Sequence, residues 1–134
     1  MCIRDSLEIL KKAFSTNGLL AYKIENLVKD LEQLTNECLS ELSDGRFSLE
    51  FVVTNDKLNV EITDNAKVVD ILALSSGELA RVNTATLLAI RKLMSSISSS
   101  RINTLFLDEI ISVLDDEGKE KIVEILLNLS LIHI

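Results

Sequence analysis

Two short runs of residues constrain the fold of this chain most strongly. The first, Leu74–Glu78, reads Leu-Ser-Ser-Gly-Glu and is typical of a turn of small residues that opens a helix. The second, Leu105–Glu109, predicts a buried apolar strand that ends in two adjacent carboxylates, and Ser112–Asp115 follows it closely. A turn, a helix, a buried strand and another helix in this order predict an α/β architecture with a parallel sheet flanked by helices.

Amphipathic periodicity predicts helices before the first run. Leu7–Phe14 is expected to end one helix, because Ser15–Gly18 interrupts the pattern. A longer helix follows and ends at Asp44-Gly45. Its apolar stripe fits the end of a coiled-coil stalk and equally an ordinary amphipathic helix. The members of the stripe are Leu20, Ile24, Leu27, Leu31, Leu34, Cys38 and Leu42.

Alternating apolar and polar residues next predict a β-hairpin with one buried face. Its strands cover Phe47–Val53 and Leu58–Ile62, and Thr54–Lys57 joins them. We expect a loop over Thr63–Lys67 and a further short strand over Val68–Leu72. The hairpin therefore lies between the long helix and the turn of small residues.

The turn of small residues begins a helix predicted over residues 78–97, which Ser75 or Ser76 caps. Ser95–Ser100 is typical of a serine-rich loop, and Ile102–Leu107 is expected to form a buried parallel strand. The buried face of the helix is predicted to consist of Leu79, Val82, Ala85, Thr86, Ala89, Ile90 and Leu93.

The two carboxylates lie where α/β sheets bind ligands, at the C-terminal end of a buried strand. Asp108 is suited to hold a magnesium ion, which prefers hard oxygen ligands, and Glu109 to orient or deprotonate a water molecule. The plain alternative is a strand end with two solvated acids. Asp115–Glu117 then places acidic residues in the first turn of a final helix, where the helix dipole favours them.

Small residues at the turn suit the approach of an anion. Ser75, Ser76 and Gly77 leave space near the backbone, and Gly77 has no Cβ in the way. The free amides at the start of the following helix point at the same place. The plain alternative is a helix with an ordinary serine cap.

Composition limits the function classes that this chain suits. With 134 residues it forms one domain at most, and a net charge of −7 argues against nucleic-acid binding by its average surface. The two cysteines lie far apart without metal-ligand spacing, which favours a reducing, cytoplasmic setting. We find no apolar run long enough to span a membrane.

Both termini have an unusual coding property. Met1–Asp5 can be encoded by ATGTGTATAAGAGAC and Leu129–Ile134 by CTGTCTCTTATACACATC, which contain inverted copies of one short DNA sequence. Such a pair is typical of a sequencing adapter translated together with the insert. We therefore expect residues 1–6 and 129–134 to be adapter sequence, and residues 7–128 to be the native part.

Taken together, the motifs resemble those of the ABC-type ATPases. Leu74–Glu78 resembles the ABC signature, usually LSGGQ, although Ser76 replaces its first glycine. Leu105–Glu109 resembles the Walker B strand, and Ser112–Asp115 resembles the D-loop, usually SALD. The resemblance implies the C-terminal half of a P-loop NTPase head, with residues 7–44 as the end of a coiled coil and lead-in helix and residues 45–128 as the lobe.

Further details of the chain resemble one branch of that superfamily. Transporter domains usually have proline after the Walker B glutamate, whereas this chain has Ile110 and contains no proline. A helix that enters a hairpin before the signature is similar to the stalk re-entering the head in SMC-like ATPases. The segments Asn17-Gly18 and Leu42–Phe47 are similar to the SbcC-type recombination nuclease ATPases, including their phage relatives.

The resemblance implies a role for each matching residue. Ser75 and Gly77 would contact the γ-phosphate of ATP bound to the opposite subunit, and Ser76 and Glu78 would belong to the same cofactor-binding turn, with Glu78 where the family has Gln or Glu. By the same resemblance, Asp108 would support Mg²⁺, Glu109 would act as the catalytic base and Asp115 would cross the dimer interface. Arg81 matches a basic position that couples ATP binding to head movement, or is a surface arginine paired with Glu78.

The function implied is that of an SMC-like DNA repair or recombination ATPase. The cofactors would be ATP and Mg²⁺, and the partners a second ATPase head, a metallophosphoesterase-type nuclease subunit and DNA, with no membrane. The chain alone is expected to be inactive because it lacks the phosphate-binding Walker A loop. The alternatives are a RecF-, RecN- or condensin-like ATPase and a non-enzymatic helical interaction module.

Overall fold

The structure is a computed structural model that describes residues 3–15, 18–54, 57–98, 107 and 110–131. The helices are α1 (Ile3–Ala13), α2 (Leu19–Ser43), α3 (Ser76–Ile97) and α4 (Asp116–Leu131), and the strands are β1 (Phe47–Thr54), β2 (Lys57–Asp64) and β3 (Lys67–Val69). Two short 3₁₀ turns cover Ile71–Ala73 and Ile110–Val113. The chain forms two compact units, Met1–Asp30 and Leu31–Ile134.

The predicted helices α1 and α2 are confirmed, but the apolar stripe of α2 is buried only in part. In the first unit, Ile24 and Leu27 of the stripe are exposed. In the second unit, Cys38 and Leu42 are buried. The stripe therefore contributes to the core only near the C-terminal end of α2.

Helix α2 ends at Asp44-Gly45, as the sequence predicts. Both residues have positive φ angles, 52° and 74°, and the Gly45 amide donates to the Ser40 carbonyl at 2.9 Å. Glycine adopts this left-handed conformation without the steric cost of a Cβ, which is why helices commonly end on it.

Strands β1, β2 and β3 form an antiparallel sheet in that order, which confirms the predicted hairpin. Leu49 pairs with Ile62, and both are buried. The expected loop at Thr63–Lys67 is wrong, because β2 continues to Asp64 and β3 begins at Lys67. Asn65 and Ala66 both have positive φ, which is the backbone of a tight two-residue hairpin turn.

Side chains of α2 cover the edge of the sheet along β1. Three outward amides of β1 each donate to a side chain of α2: Phe47 to Ser43 Oγ at 3.2 Å, Leu49 to Asn36 Oδ1 at 2.8 Å, and Phe51 to Glu32 Oε2 at 2.8 Å. An edge strand otherwise presents unpaired amides to other chains. These bonds attach the end of the long helix to the hairpin.

The core lies between α2, the sheet, α3 and α4, and the buried face of α3 differs from the predicted one at several positions. Ile90 is 43% exposed, whereas Thr84 and Leu88 are fully buried. Thr84 is tolerated there because its hydroxyl donates to the Ala80 carbonyl at 2.8 Å. The core residues are Cys38, Leu39, Leu42, Phe47, Leu49, Ile62, Ala80, Val82, Ala85, Leu88, Leu114, Ile122 and Ile125.

The C-terminal end of α3 lies at Ile97, as predicted, but the serine-rich loop expected over Ser95–Ser100 does not begin where it was placed. The helix continues through Ile97, so Ser95 and Ser96 belong to it and not to a loop. The predicted parallel strand over Ile102–Leu107 lies outside the described residues, except for half-buried Leu107. The final helix begins at Asp116, within the predicted acidic turn Asp115–Glu117.

Candidate functional site

The small-residue turn at the start of α3 opens onto a surface cavity of about 300 Å³. The end of α2, the start of β1, the first turns of α3 and the segment before α4 all contribute to its wall. The residues that line it are Ser43, Arg46, Phe47, Ser75, Gly77, Glu78, Arg81, Val113 and Asp115. The cavity therefore brings together the signature-like turn and the aspartate of the D-loop-like segment, which are separate in the sequence.

Ser75 is the cap of α3, which settles the predicted choice between Ser75 and Ser76. The Ser75 Oγ accepts the Glu78 amide at 3.3 Å, and the Glu78 Oε2 accepts the Ser75 amide at 2.9 Å. This reciprocal arrangement is a capping box, which Ser-x-x-Glu commonly forms. The Ser75 hydroxyl also donates to Glu78 Oε2 at 2.7 Å.

The first amides of α3 fit the approach of an anion. In the part of the chain that the structure describes, the amides of Ser76 and Gly77 have no hydrogen-bond partner. A Cβ on Gly77 would lie 3.3 Å from the Val113 carbonyl oxygen, so the turn has little room for a larger residue. Free amides at a helix N-terminus favour negatively charged groups such as phosphate.

Glu78 is held by an arginine that the sequence analysis did not identify. Arg46 Nη1 lies 2.8 Å from Glu78 Oε1, and the same guanidinium donates to both carboxylate oxygens of Asp64, at 2.8 and 2.6 Å. Hydrogen bonds from Ser75, with the nearby Arg46 charge, hold the pKa of Glu78 below its usual value. No local sequence motif marks Arg46, because its partners Asp64 and Glu78 lie later in the chain. They reach Arg46 only when the hairpin and α3 have packed together.

Arg81 joins helix α3 to two other elements. Its Nη1 donates to the Leu42 carbonyl of α2 at 2.8 Å, and its Nη2 donates to the two carboxylate oxygens of Asp115 at 2.7 and 2.8 Å. The partner of Glu78 is Arg46, so the alternative that pairs Arg81 with Glu78 is wrong. Arg81 thus contacts the end of α2 and the start of α4.

Asp115 has a structural role at the start of α4 in addition to its pair with Arg81. Its Oδ1 accepts the Gly118 amide at 3.0 Å, which caps the helix. The hydrogen bonds from Arg81, and secondarily from Gly118, hold the pKa of Asp115 below its usual value. The side chain is still 62% exposed, so one side of the carboxylate faces solvent at the cavity.

A second cation fastens α4 to the end of α2. Lys121 lies 2.8 Å from Glu117 one turn earlier and 2.5 Å from Asp44. The hydrogen bond from Lys121 holds the pKa of Asp44 below its usual value. Arg81 and Lys121 therefore attach the end of α2 to α3 and α4 respectively.

The predicted metal and catalytic residues, Asp108 and Glu109, lie outside the described residues. Across the described ranges we find no group of three or more histidine, cysteine, aspartate or glutamate side chains placed to hold a metal ion. None of the helices that the structure describes is long and apolar enough to cross a membrane.

Comparison with known proteins shows a relative of this chain by sequence. No family model matches the chain. Over 120 residues, or 90% of its length, the chain is 43% identical to "Probable exonuclease subunit 2" of Escherichia phage T5. The chain spans about a fifth of that relative, 19% of its length.

Comparison by structure identifies the fold. A solved structure described as "Structural biochemistry of ATP-driven dimerization and DNA stimulated activation of SMC ATPases" matches with a TM-score of 0.62 and 22% identity, over 78% of this chain and 63% of that one. The chain is thus a relative of the phage exonuclease subunit with the fold of the C-terminal lobe of an SMC-type ATPase head, as its motifs predict.

Proposed function

We propose that the chain is the C-terminal lobe of an ATPase head from an SMC-like DNA repair or recombination protein. In the full-length protein, two heads would bind ATP between them and hydrolyse it. The observation that carries this proposal is the cavity, which Ser75 and Gly77 at the start of α3 line together with Asp115, next to the free amides of the first turn. An anion-binding helix start next to an exposed carboxylate suits a surface that meets a phosphate carried by another subunit.

The proposed roles follow the motif positions. Ser75, Ser76 and Gly77 would bind the γ-phosphate of ATP on the opposite head, with Glu78 holding the turn in shape. Asp115 would extend toward the phosphate loop of the second head from the exposed side of its carboxylate. ATP with Mg²⁺ supplies a phosphoryl group whose transfer depends mainly on positioning and charge neutralisation.

Asp108 and Glu109 are the residues that we propose for Mg²⁺ binding and for activation of the attacking water. Asp108 would help to hold Mg²⁺, and Glu109 would act as the catalytic base toward water. These residues would serve ATP bound to their own head, whereas Ser75–Glu78 would serve ATP on the other. Each head would therefore contribute different pieces to two composite sites.

The relative's name supports a nuclease-associated role for the full-length protein. We propose that a metallophosphoesterase-type nuclease subunit and DNA are its partners, and that ATP-driven opening and closing of the heads regulates access to DNA ends. Because the net charge is −7, we expect the DNA contacts to lie elsewhere than on the average surface of this lobe. We also propose that the protein is cytoplasmic and that residues 7–128 are its native part.

Trapping of a dimer tests the proposal. In the full-length protein, Glu109→Gln would slow hydrolysis while leaving ATP binding intact, so ATP should convert the variant from monomeric to dimeric heads in light scattering. Glu124→Gln, an exposed carboxylate on α4, is the matched control and should behave like the wild type. If Glu109→Gln traps no ATP-dependent dimer, a non-enzymatic interaction module becomes the better account.

A further inference from the structure

We infer that Arg46 is a positioning residue of the signature turn, which neutralises Glu78 and holds its carboxylate on Ser75 so that a phosphate can approach Ser75–Gly77. This inference rests on the proposed function and adds to it a residue that no signature motif contains. Arg46 immediately precedes β1 and lines the same cavity as the start of α3.

The guanidinium of Arg46 is fixed in one orientation. Its Nε and Nη2 donate to the two oxygens of Asp64 at 2.8 and 2.6 Å, which is the fork geometry of a bidentate pair. Its central carbon lies 4.5 Å from the centroid of the Phe47 ring, in a cation–π contact. These two contacts direct the remaining nitrogen, Nη1, at Glu78 Oε1 at 2.8 Å.

The carboxylate of Glu78 divides its oxygens between Arg46 and Ser75. Oε1 is paired with Arg46, while Oε2 accepts both the amide and the hydroxyl of Ser75, at 2.9 and 2.7 Å. Asp64, Arg46, Glu78 and Ser75 thus form one continuous chain of charge-assisted hydrogen bonds. Arg46 therefore acts on the signature serine through Glu78.

The charges around the cavity explain why this pairing matters for an anion. Its lining contains two carboxylates, Glu78 and Asp115, and two guanidinium groups, Arg46 and Arg81. Arg81 is bound to Asp115, which leaves Arg46 to balance Glu78. Without Arg46, an approaching phosphate would meet an unneutralised carboxylate one turn away, and like charges at that distance repel.

A purely structural role for Arg46 makes a different prediction. In that case the residue would only close the end of the hairpin, because Asp64 pairs with the neighbouring Phe47 in the strand register. Loss of Arg46 would then weaken the fold whatever residue occupies position 78. A role through Glu78 instead requires the negative charge of that side chain.

A double-mutant cycle in the full-length protein separates the two roles. We expect Arg46→Gln to lower kcat/KM for ATP hydrolysis on the order of tenfold, as the loss of a charge-assisted bond would. In the Glu78→Gln background, where no negative charge needs neutralising, the same substitution should lower it by less than about twofold. Arg46→Lys, which keeps one charge, should recover part of the loss.

Controls distinguish the possible failures. Lys67→Gln removes a positive charge from the neighbouring exposed strand and should leave hydrolysis unchanged. Equal losses from Arg46→Gln with and without Glu78→Gln, or no loss at all, would overturn the inference alone. If Ser75→Arg, which blocks the signature turn, hydrolyses ATP as fast as the wild type, the proposed function and the inference both fail.

Discussion

At the scale of single residues, Asn36 connects two elements through one carboxamide. Its Nδ2 donates to the Leu49 carbonyl and its Oδ1 accepts the Leu49 amide, both at 2.8 Å. Side-chain amides can satisfy a backbone donor and acceptor at once because they carry both functions. One residue of α2 thus replaces the partner strand that the outer edge of β1 lacks in the described sheet.

Asn36→Ala should lower the free energy of unfolding by about 1–3 kcal/mol, because it leaves the partly buried Leu49 amide and carbonyl without their partner. Urea unfolding followed by circular dichroism measures this change. Gln33→Ala is the matched control on the same helix, since the Gln33 amide donates to the exposed Glu37 side chain of that helix, at 3.0 Å, and not to the sheet in the described part of the chain. Equal effects of the two substitutions would contradict the proposed attachment of α2 to β1.

Single residues also show what sequence reasoning could and could not predict. The cap at Ser75 was predictable because its partner Glu78 is three residues away and both belong to one helix start. Arg46 was not, because its partners Asp64 and Glu78 reach it only after the hairpin and α3 have packed. Burial of Thr84 was also missed, since its polarity is satisfied by a bond within its own helix.

At the scale of elements, the start of α3 depends on its first serine. Ser75→Ala should lower the free energy of unfolding by about 1 kcal/mol, because the capping bond to the Glu78 amide is lost. Ser76→Ala is the control, and its effect should stay within about 0.5 kcal/mol, as for an exposed surface position. Chemical denaturation of the two variants tests this, and a larger loss from Ser76→Ala would contradict the assignment of the cap.

The stability that the ion pair between Arg81 of α3 and Asp115 before α4 contributes should depend on pH. Because Arg81 and the Gly118 amide lower the pKa of Asp115 in the folded chain, its ion pair stabilises the fold above the ordinary pKa of 3.8. That contribution is lost as the pH falls through the lower pKa of the folded state. Asp115→Asn keeps a capping side chain but removes the charge.

The difference in free energy of unfolding between the wild type and Asp115→Asn should therefore be largest near neutral pH. It should shrink as the pH falls below 3.8, where the carboxylate becomes protonated in the unfolded and then in the folded chain. Urea unfolding over a series of pH values measures the difference. A difference that stays constant with pH would mean that the charge of Asp115 is not what joins α3 to α4.

Element boundaries were predictable where the signal was local. Asp44-Gly45 ends α2 because its backbone must turn left-handed, and this is visible in the sequence. The predicted end of α3 at residue 97 is correct, but the start of the serine-rich loop is not, because Ser95 and Ser96 are typical of loops yet continue the helix. Exposure of Ile24 and Leu27 was not predictable either, since an apolar stripe does not reveal how far its covering partner extends.

At the scale of the whole molecule, the described chain places the signature-like turn and Asp115 of the D-loop-like segment on one cavity. The fold recognised from the motifs is confirmed by its likeness to an SMC ATPase structure. Under the proposed function, Ser75–Glu78 of this lobe contact ATP bound to the opposite head, whereas Glu109 acts on ATP bound to the head that contains it. The central claim is therefore that these two groups of residues act in different sites of a dimer.

Mixing two inactive variants of the full-length protein tests this claim most directly. Ser75→Arg disables the contribution to the opposite head, and Glu109→Gln disables the contribution to its own. In a mixed dimer, one composite site then carries both substitutions and the other carries neither. We predict that the mixture hydrolyses ATP well above the rate of either variant alone, whereas a mixture as inactive as its components would contradict the account.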